Sequence, residues 1–238
     1  MRLLLATAII TATAAAVAAI GLAAPPADAE VRTYNLAGFT KIEASAAFDI
    51  VFTQSPTYSV VIDSKHDGLH NIIVEKVGDM LRITRPKNKN IKGKIDDVVR
   101  ISAPTLEALK FDAAIEFEAD TLKVNDLTIT AQAAVEIDIK NLQARNITIV
   151  ADAATEFDLA GTCNKLDATL GTASELTANK LKCRETRIEA GFASNAHAYA
   201  SEKAVANAGM ASTVRISGRP RDFTETHDRF DSKVSLAD

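Results

Sequence analysis

Beyond residue 30 apolar residues recur two apart with polar ones between them, the spacing of strands that bury one face. Phe48, Ile50 and Phe52 alternate with Asp49, Val51 and Thr53, and after a Ser55-Pro56 turn the alternation resumes at Tyr58, Val60 and Ile62. A second pair, Ile72 to Val77 and Met80 to Thr84, is joined at Gly78-Asp79. From Val98 onward the same alternation falls into units. Each opens with a strand (Leu109 and Phe111; Leu127 and Ile129; Ile147 and Ile149; Leu166, Ala168 and Leu170; Ile188 and Ala190). A second strand follows, with Ile115 and Phe117, Val135 and Ile137, Thr155 and Phe157, or Ser174 and Leu176 inward. A short third segment carries Leu122 and Val124, Leu142 and Ala144, or Leu181 and Cys183.

The units share a signature. Seven segments are copies of one another: Ala47-Phe48-Asp49, Ala114-Ile115-Glu116, Ala134-Val135-Glu136, Ala154-Thr155-Glu156, Ala173-Ser174-Glu175, Ala193-Ser194-Asn195 and Ala211-Ser212-Thr213. A period of about twenty residues is too short for a helix-pair repeat and suits one circuit of short strands. The predicted fold is therefore all-β, a single-stranded right-handed parallel β-helix of about 20 residues per coil, with the hand taken from the crossover rule. Equivalent residues of neighbouring coils would lie ~4.8 Å apart, giving a rod roughly 30 Å long. Corners fall at Asp112, Gln132, Asp152, Gly171, Gly191 and Gly209, where glycine would supply positive φ and aspartate would bond its own backbone. Residues 30–104 read as a β-rich lead-in that caps the coil, and 105–238 as regular coils with a closing cap, one continuous domain.

The run from Phe39 to Gln54, the stretch Val99-Arg100-Ile101-Ser102-Ala103-Pro104-Thr105-Leu106 and the Gly-x-Ala-Ser units at Gly171, Gly191 and Gly209 resemble the head GIN domain family of auto-transporter adhesins. The resemblance covers nearly all of the chain after the leader. It implies a right-handed β-helix in an exported bacterial protein and brings no catalytic residues with it. The earlier repeats carry Asp or Gln where the family pattern expects glycine. The chain ends at Ser235-Leu236-Ala237-Asp238 without a run of alternating strands for a C-terminal barrel, so self-secretion is not expected.

The first 29 residues change the setting rather than the fold. Arg2 precedes an uncharged run from Leu3 to Ala24, and Ala27-Asp28-Ala29 supplies a small-residue cleavage site, so a secretory signal is expected. Removing residues 1–29 takes away Arg2 and Asp28 and leaves the net charge at -4. Mild acidity without a basic face argues against nucleic acid. With 5% aromatic residues and no Trp, the core must be aliphatic and rich in alanine.

The register sets out two acidic lines: Glu116, Glu136, Glu156 and Glu175, and beside them Glu118, Asp138 and Asp158. Both alternate with buried positions and so point outward. Two carboxylates at ~4.8 Å repel by about 0.9 kcal/mol in water and about 3.5 kcal/mol at an effective dielectric of 20. Raised pKa values, bound Ca²⁺ or a cationic partner would relieve this, and a solvated stripe that protects strand edges is the plainer reading. Paired carboxylates also serve glycosidases, which makes a polysaccharide-degrading enzyme the alternative, although the short turns offer no walls for a cleft.

Cys163 and Cys183 occupy one column of adjacent coils, within disulfide reach, and export favours the bond over two reduced thiols. His66, His70, His197 and His227 show no metal-ligand spacing and read as surface residues. A basic segment with Arg85, Lys87, Lys89, Lys92 and Lys94 reads as a solvated loop that would contact an anionic partner such as phosphate-bearing lipopolysaccharide or an acidic glycan. No cofactor is implied. These features together point to an exported, non-enzymatic module of the periplasm or cell envelope, adhesin-like or structural, facing a glycan or an envelope protein.

Overall fold

The computed structural model describes residues 29–65, 68–86, 97–228 and 230–237. Of the expected signal segment, residues 1–29, all but Ala29 lie outside them. Strand follows strand in a β-solenoid of about six turns with equivalent positions roughly 20 residues apart.

The chain first forms β1 (Ala29–Tyr34), β2 (Lys41–Ser45), β3 (Phe48–Gln54), β4 (Ser59–Lys65), β5 (Ile73–Val77), β6 (Met80–Thr84) and β7 (Val98–Ala103). It then makes β8 (Ala108–Asp112), β9 (Ile115–Ala119), β10 (Leu122–Lys123) and β11 (Asp126–Gln132). Four long ribbons follow, β12 (Val135–Ala153), β13 (Thr155–Thr172), β14 (Glu175–Ala190) and β15 (Asn195–Ala208), whose parallel pairing continues around the corners. The C-terminal end is closed by β16 (Thr213–Ser217), β17 (Asp222–His227) and β18 (Lys233–Leu236).

Spatial order departs from chain order at the N-terminal end. β2 pairs in parallel with both β6 and β8, and β3 with both β7 and β9. The layer made by residues 41–54 is thus held between two layers made by later residues. Beyond it, β4 and β1 add antiparallel strands on one side and β5 adds one on the other. These antiparallel additions cover an end that a parallel stack would leave open.

The core tapers along the rod. Phe111 and Phe117 sit 5.6 Å apart and Phe52 and Phe117 6.3 Å apart in the early coils, whereas Ala196, Ala198, Ala200, Ala204, Ala206 and Ala208 fill the late ones. Smaller inward side chains let the later coils close tighter, in keeping with the low aromatic content.

One corner is built differently from expectation. Positive φ falls on alanines, Ala46, Ala113, Ala133, Ala154, Ala173, Ala193 and Ala211, and not on Gly171, Gly191 or Gly209. Those glycines answer to close approach instead. A Cβ on Gly171 would stand 1.8 Å from the Asp152 carbonyl oxygen, and one on Gly191 would stand 2.8 Å from that of Leu170. Next to them Ser174, Ser194 and Ser212 stack inside the wall. The backbone N–H of Ser174 donates to Ser194 Oγ at 3.2 Å and that of Ser194 to Ser212 Oγ at 3.0 Å. The Ser194 and Ser212 hydroxyls donate in turn to the carbonyls of Gly171 and Gly191. The Gly-x-Ala-Ser motif therefore records a tight corner whose buried polar groups are satisfied between coils.

Candidate functional site

The strands that follow the alanine corner form one flat face, and their outward side chains stand in two columns. In the first, Asp49 is in register with Glu116, Glu116 with Glu136, Glu136 with Glu156, and Glu156 with Glu175. In the second, Glu118, Asp138 and Asp158 follow one another. The structure thus brings together all seven acids that the repeat predicts and adds Asp49 at the head of the first column. Burial, then the charges of Asp49, Glu136 and Glu118, push the Glu116 carboxyl above its ordinary value. At the edge Lys140 Nζ lies 2.9 Å from Asp120 Oδ1, and its pKa is raised by that partner first and also by the charges of Asp138 and Glu118.

A hollow of about 400 Å³ runs along these carboxylates and the alanine corner, lined by Asp49, Glu116, Glu136 and Glu156. It is an open trough along the outward faces of the strands. Among the described residues no group of three or more His, Cys, Asp or Glu side chains is arranged to hold a metal ion.

Cys163 and Cys183 are register partners with Cα atoms 4.4 Å apart, and they form a disulfide that ties two adjacent coils. Both are buried. The bond therefore clips the wall and offers no reactive thiol.

The basic segment requires a correction. Arg85 was expected among solvated cations that meet an anionic partner; its side chain is 6% exposed and forms an ion pair with Asp97, itself 4% exposed. Its guanidinium carbon stands 4.7 Å from the centre of the Phe48 ring. A planar, weakly hydrated guanidinium tolerates such burial when a carboxylate meets it. Lys87, Lys89, Lys92 and Lys94 lie outside the described residues.

Residues 38–220 match the family model described as "Putative auto-transporter adhesin, head GIN domain". This chain belongs to the head GIN domain family. Its fold is shared with a "putative adhesin" from Bacteroides fragilis NCTC 9343 (19% identity, TM-score 0.83, covering 90% of this chain and 99% of the other). It is also shared with a "Putative lipid binding protein" from Parabacteroides distasonis ATCC 8503 (14% identity, TM-score 0.70, 89% and 98% covered). A third neighbour is a "putative adhesin" from Parabacteroides merdae ATCC 43184 (13% identity, TM-score 0.67, 89% and 97% covered). At these identities the likeness concerns the fold. The sequence matches no curated protein.

The face of this head GIN domain changes character in its last coils. The first column continues from Glu175 to Asn195, Thr213 and Lys233, and the second from Asp158 to Thr177, His197, Arg215 and Ser235. His197 Nε2 and Ser217 Oγ are 3.0 Å apart. Beside them Lys182 Nζ lies 4.0 Å from the centre of the Tyr199 ring and donates to the Asn179 carbonyl at 2.9 Å. His197, a surface residue by its sequence context, is half-buried here. The signal that would have singled it out is the same twenty-residue register that aligned the acids, followed two coils further.

Proposed function

We propose that the protein is an exported, non-enzymatic adhesin-like module of the bacterial envelope, which holds a glycan or an envelope protein across several coils of one flat face. The observation that carries this reading is the column from Asp49 through Glu175, in which polar side chains repeat at strand spacing on an open surface. A ladder of that kind matches a ligand that is itself periodic and rich in hydroxyls, with each coil adding one weak hydrogen-bonded contact. Family membership supports the adhesin-like character, and the expected signal segment supports export.

Solid-phase binding to a glycan array and to an isolated envelope fraction tests the proposal. Binding that weakens in the Glu136→Ala, Glu156→Ala double variant supports it, and a wild-type protein that binds neither array nor envelope fraction refutes it. Reducing-sugar release from a polysaccharide panel would favour the enzyme alternative.

A further inference from the structure

The acidic and the cationic parts of the flat face adjoin, and the cationic part forms a second site. Among the described residues Arg215 is exposed and forms no ion pair, whereas Arg32, Arg82, Arg100, Arg145, Arg184 and Arg187 each meet a carboxylate. Beside it in register stands His197, and across the corner Lys182 is held above the Tyr199 ring. Tyr199 is in turn backed by Gly218, where a Cβ would come 2.6 Å from the ring. The ring therefore serves to position Lys182 and not as a stacking platform. Burial, then the charges of Arg215 and Lys182, push the His197 imidazole below its ordinary value. A hollow of about 250 Å³ opens here, lined by Asn195, Thr177, Thr213 and Glu175 besides His197 and Arg215.

We infer that this hollow binds an oxyanion substituent, a carboxylate or sulfate, carried by a polysaccharide whose uncharged hydroxyls lie along the rest of the face. Arg215 presents a planar fork suited to two oxygens of such a group, and the charge of Lys182, felt at His197 from outside the lining, adds positive potential. Asn195, Thr177 and Thr213 provide neutral donors and acceptors for neighbouring hydroxyls. Few apolar atoms line the hollow, so neither a lipid tail nor an apolar peptide anchor finds a seat. The carboxylate column, whose last member Glu175 lines this hollow, repels dense polyanions, which restricts the ligand to sparsely charged chains. This inference rests on the proposed glycan binding and names its chemical class.

The test compares binding of partly de-esterified pectin, fully esterified pectin, lightly sulfated dextran, plain dextran and poly-glutamate to the intact protein. Wild type is expected to bind at least one of the two acidic polysaccharides tenfold or more tighter than its uncharged parent. That preference should vanish in Arg215→Ala, fall severalfold in Lys182→Ala and survive in part in Arg215→Lys. Which acidic chain is preferred tells carboxylate from sulfate. Equal binding of charged and uncharged chains, or a preference untouched by Arg215→Ala, overturns the inference while leaving glycan binding in place. Poly-glutamate binding as tight as that of the polysaccharides overturns the ligand class, and no binding to either acidic polysaccharide overturns the site.

Discussion

Arg85 reaches from just beyond β6 to Asp97, just before β7, and its guanidinium carbon lies 4.7 Å from the centre of the Phe48 ring. The pair brings the two ends of the β6–β7 connection together beside the buried Phe48 ring. Removing one partner strands the other charge where water cannot reach it. Arg85→Ala is therefore expected to lower unfolding stability by about 3–5 kcal/mol, whereas Arg85→Met combined with Asp97→Leu should recover most of the loss. Urea titration of the three proteins checks this, and an Arg85→Ala variant as stable as wild type would show that the pair is not buried.

The disulfide between Cys163 and Cys183 spans 20 residues. Closing a loop of that size restrains the unfolded chain by about 3 kcal/mol, so Cys163→Ala with Cys183→Ala should unfold at correspondingly lower denaturant. Intact mass after alkylation, with and without reductant, reads the bond directly. Full alkylation without reductant would contradict it.

At the glycine corner two substitutions should act in opposite directions. Gly171→Ala places a methyl against the Asp152 carbonyl and is expected to destabilise by about 1–3 kcal/mol. Ala173→Gly relieves an alanine held at φ 53° and should stabilise by up to about 1 kcal/mol once the greater freedom of the unfolded glycine is subtracted. Thermal melts of both variants decide it. A Gly171→Ala variant that melts as high as wild type would show that the corner has room for a Cβ.

Glu116 gives the acidic ladder a pH signature. Its folded-state pKa is raised by burial and by its carboxylate neighbours, so its charge opposes folding at neutral pH, and that opposition fades as pH falls through the raised value. Glu43, Asp79 and Glu202 have the opposite sign. Hydrogen bonds from Lys110, Lys41 and Arg184 lead the lowering of their respective pKa values, so the stability they add is lost as pH falls through those lowered values. Glu116→Gln should therefore melt higher than wild type at pH 7, with the difference closing below the ordinary glutamate value of 4.5. A gap that persists at pH 3 would assign the effect to packing and not to charge.

The repeat made most of the wall legible because two regularities coincide in it. A strand alternates with period two, and a coil returns after about twenty residues, so aligning Ala114-Ile115-Glu116 with Ala134-Val135-Glu136 fixes both the inward side chains and the outward column. Cys163 and Cys183 fell into place by the same count. What escaped depends on contacts that no period encodes. Arg85 sits in a run of lysines, and only the return of Asp97 to the same place converts it from a surface cation into an interior one. Gly171 suggests a positive φ because a sequence shows the missing side chain but not the carbonyl that requires it to be missing. Residue number likewise gives no hint that β2 and β3 lie between layers made later.

That last arrangement bears on how the molecule comes into being. A coil that simply wound from one end could settle each layer on a finished one, but the ribbon of Lys41 to Gln54 finds neither neighbour until β6 to β9 have been synthesised. The layers of the N-terminal end therefore cannot be laid down in chain order. A chain that reaches its compartment before folding would suit this geometry, and one released after the first eighty residues would have nothing to wind upon.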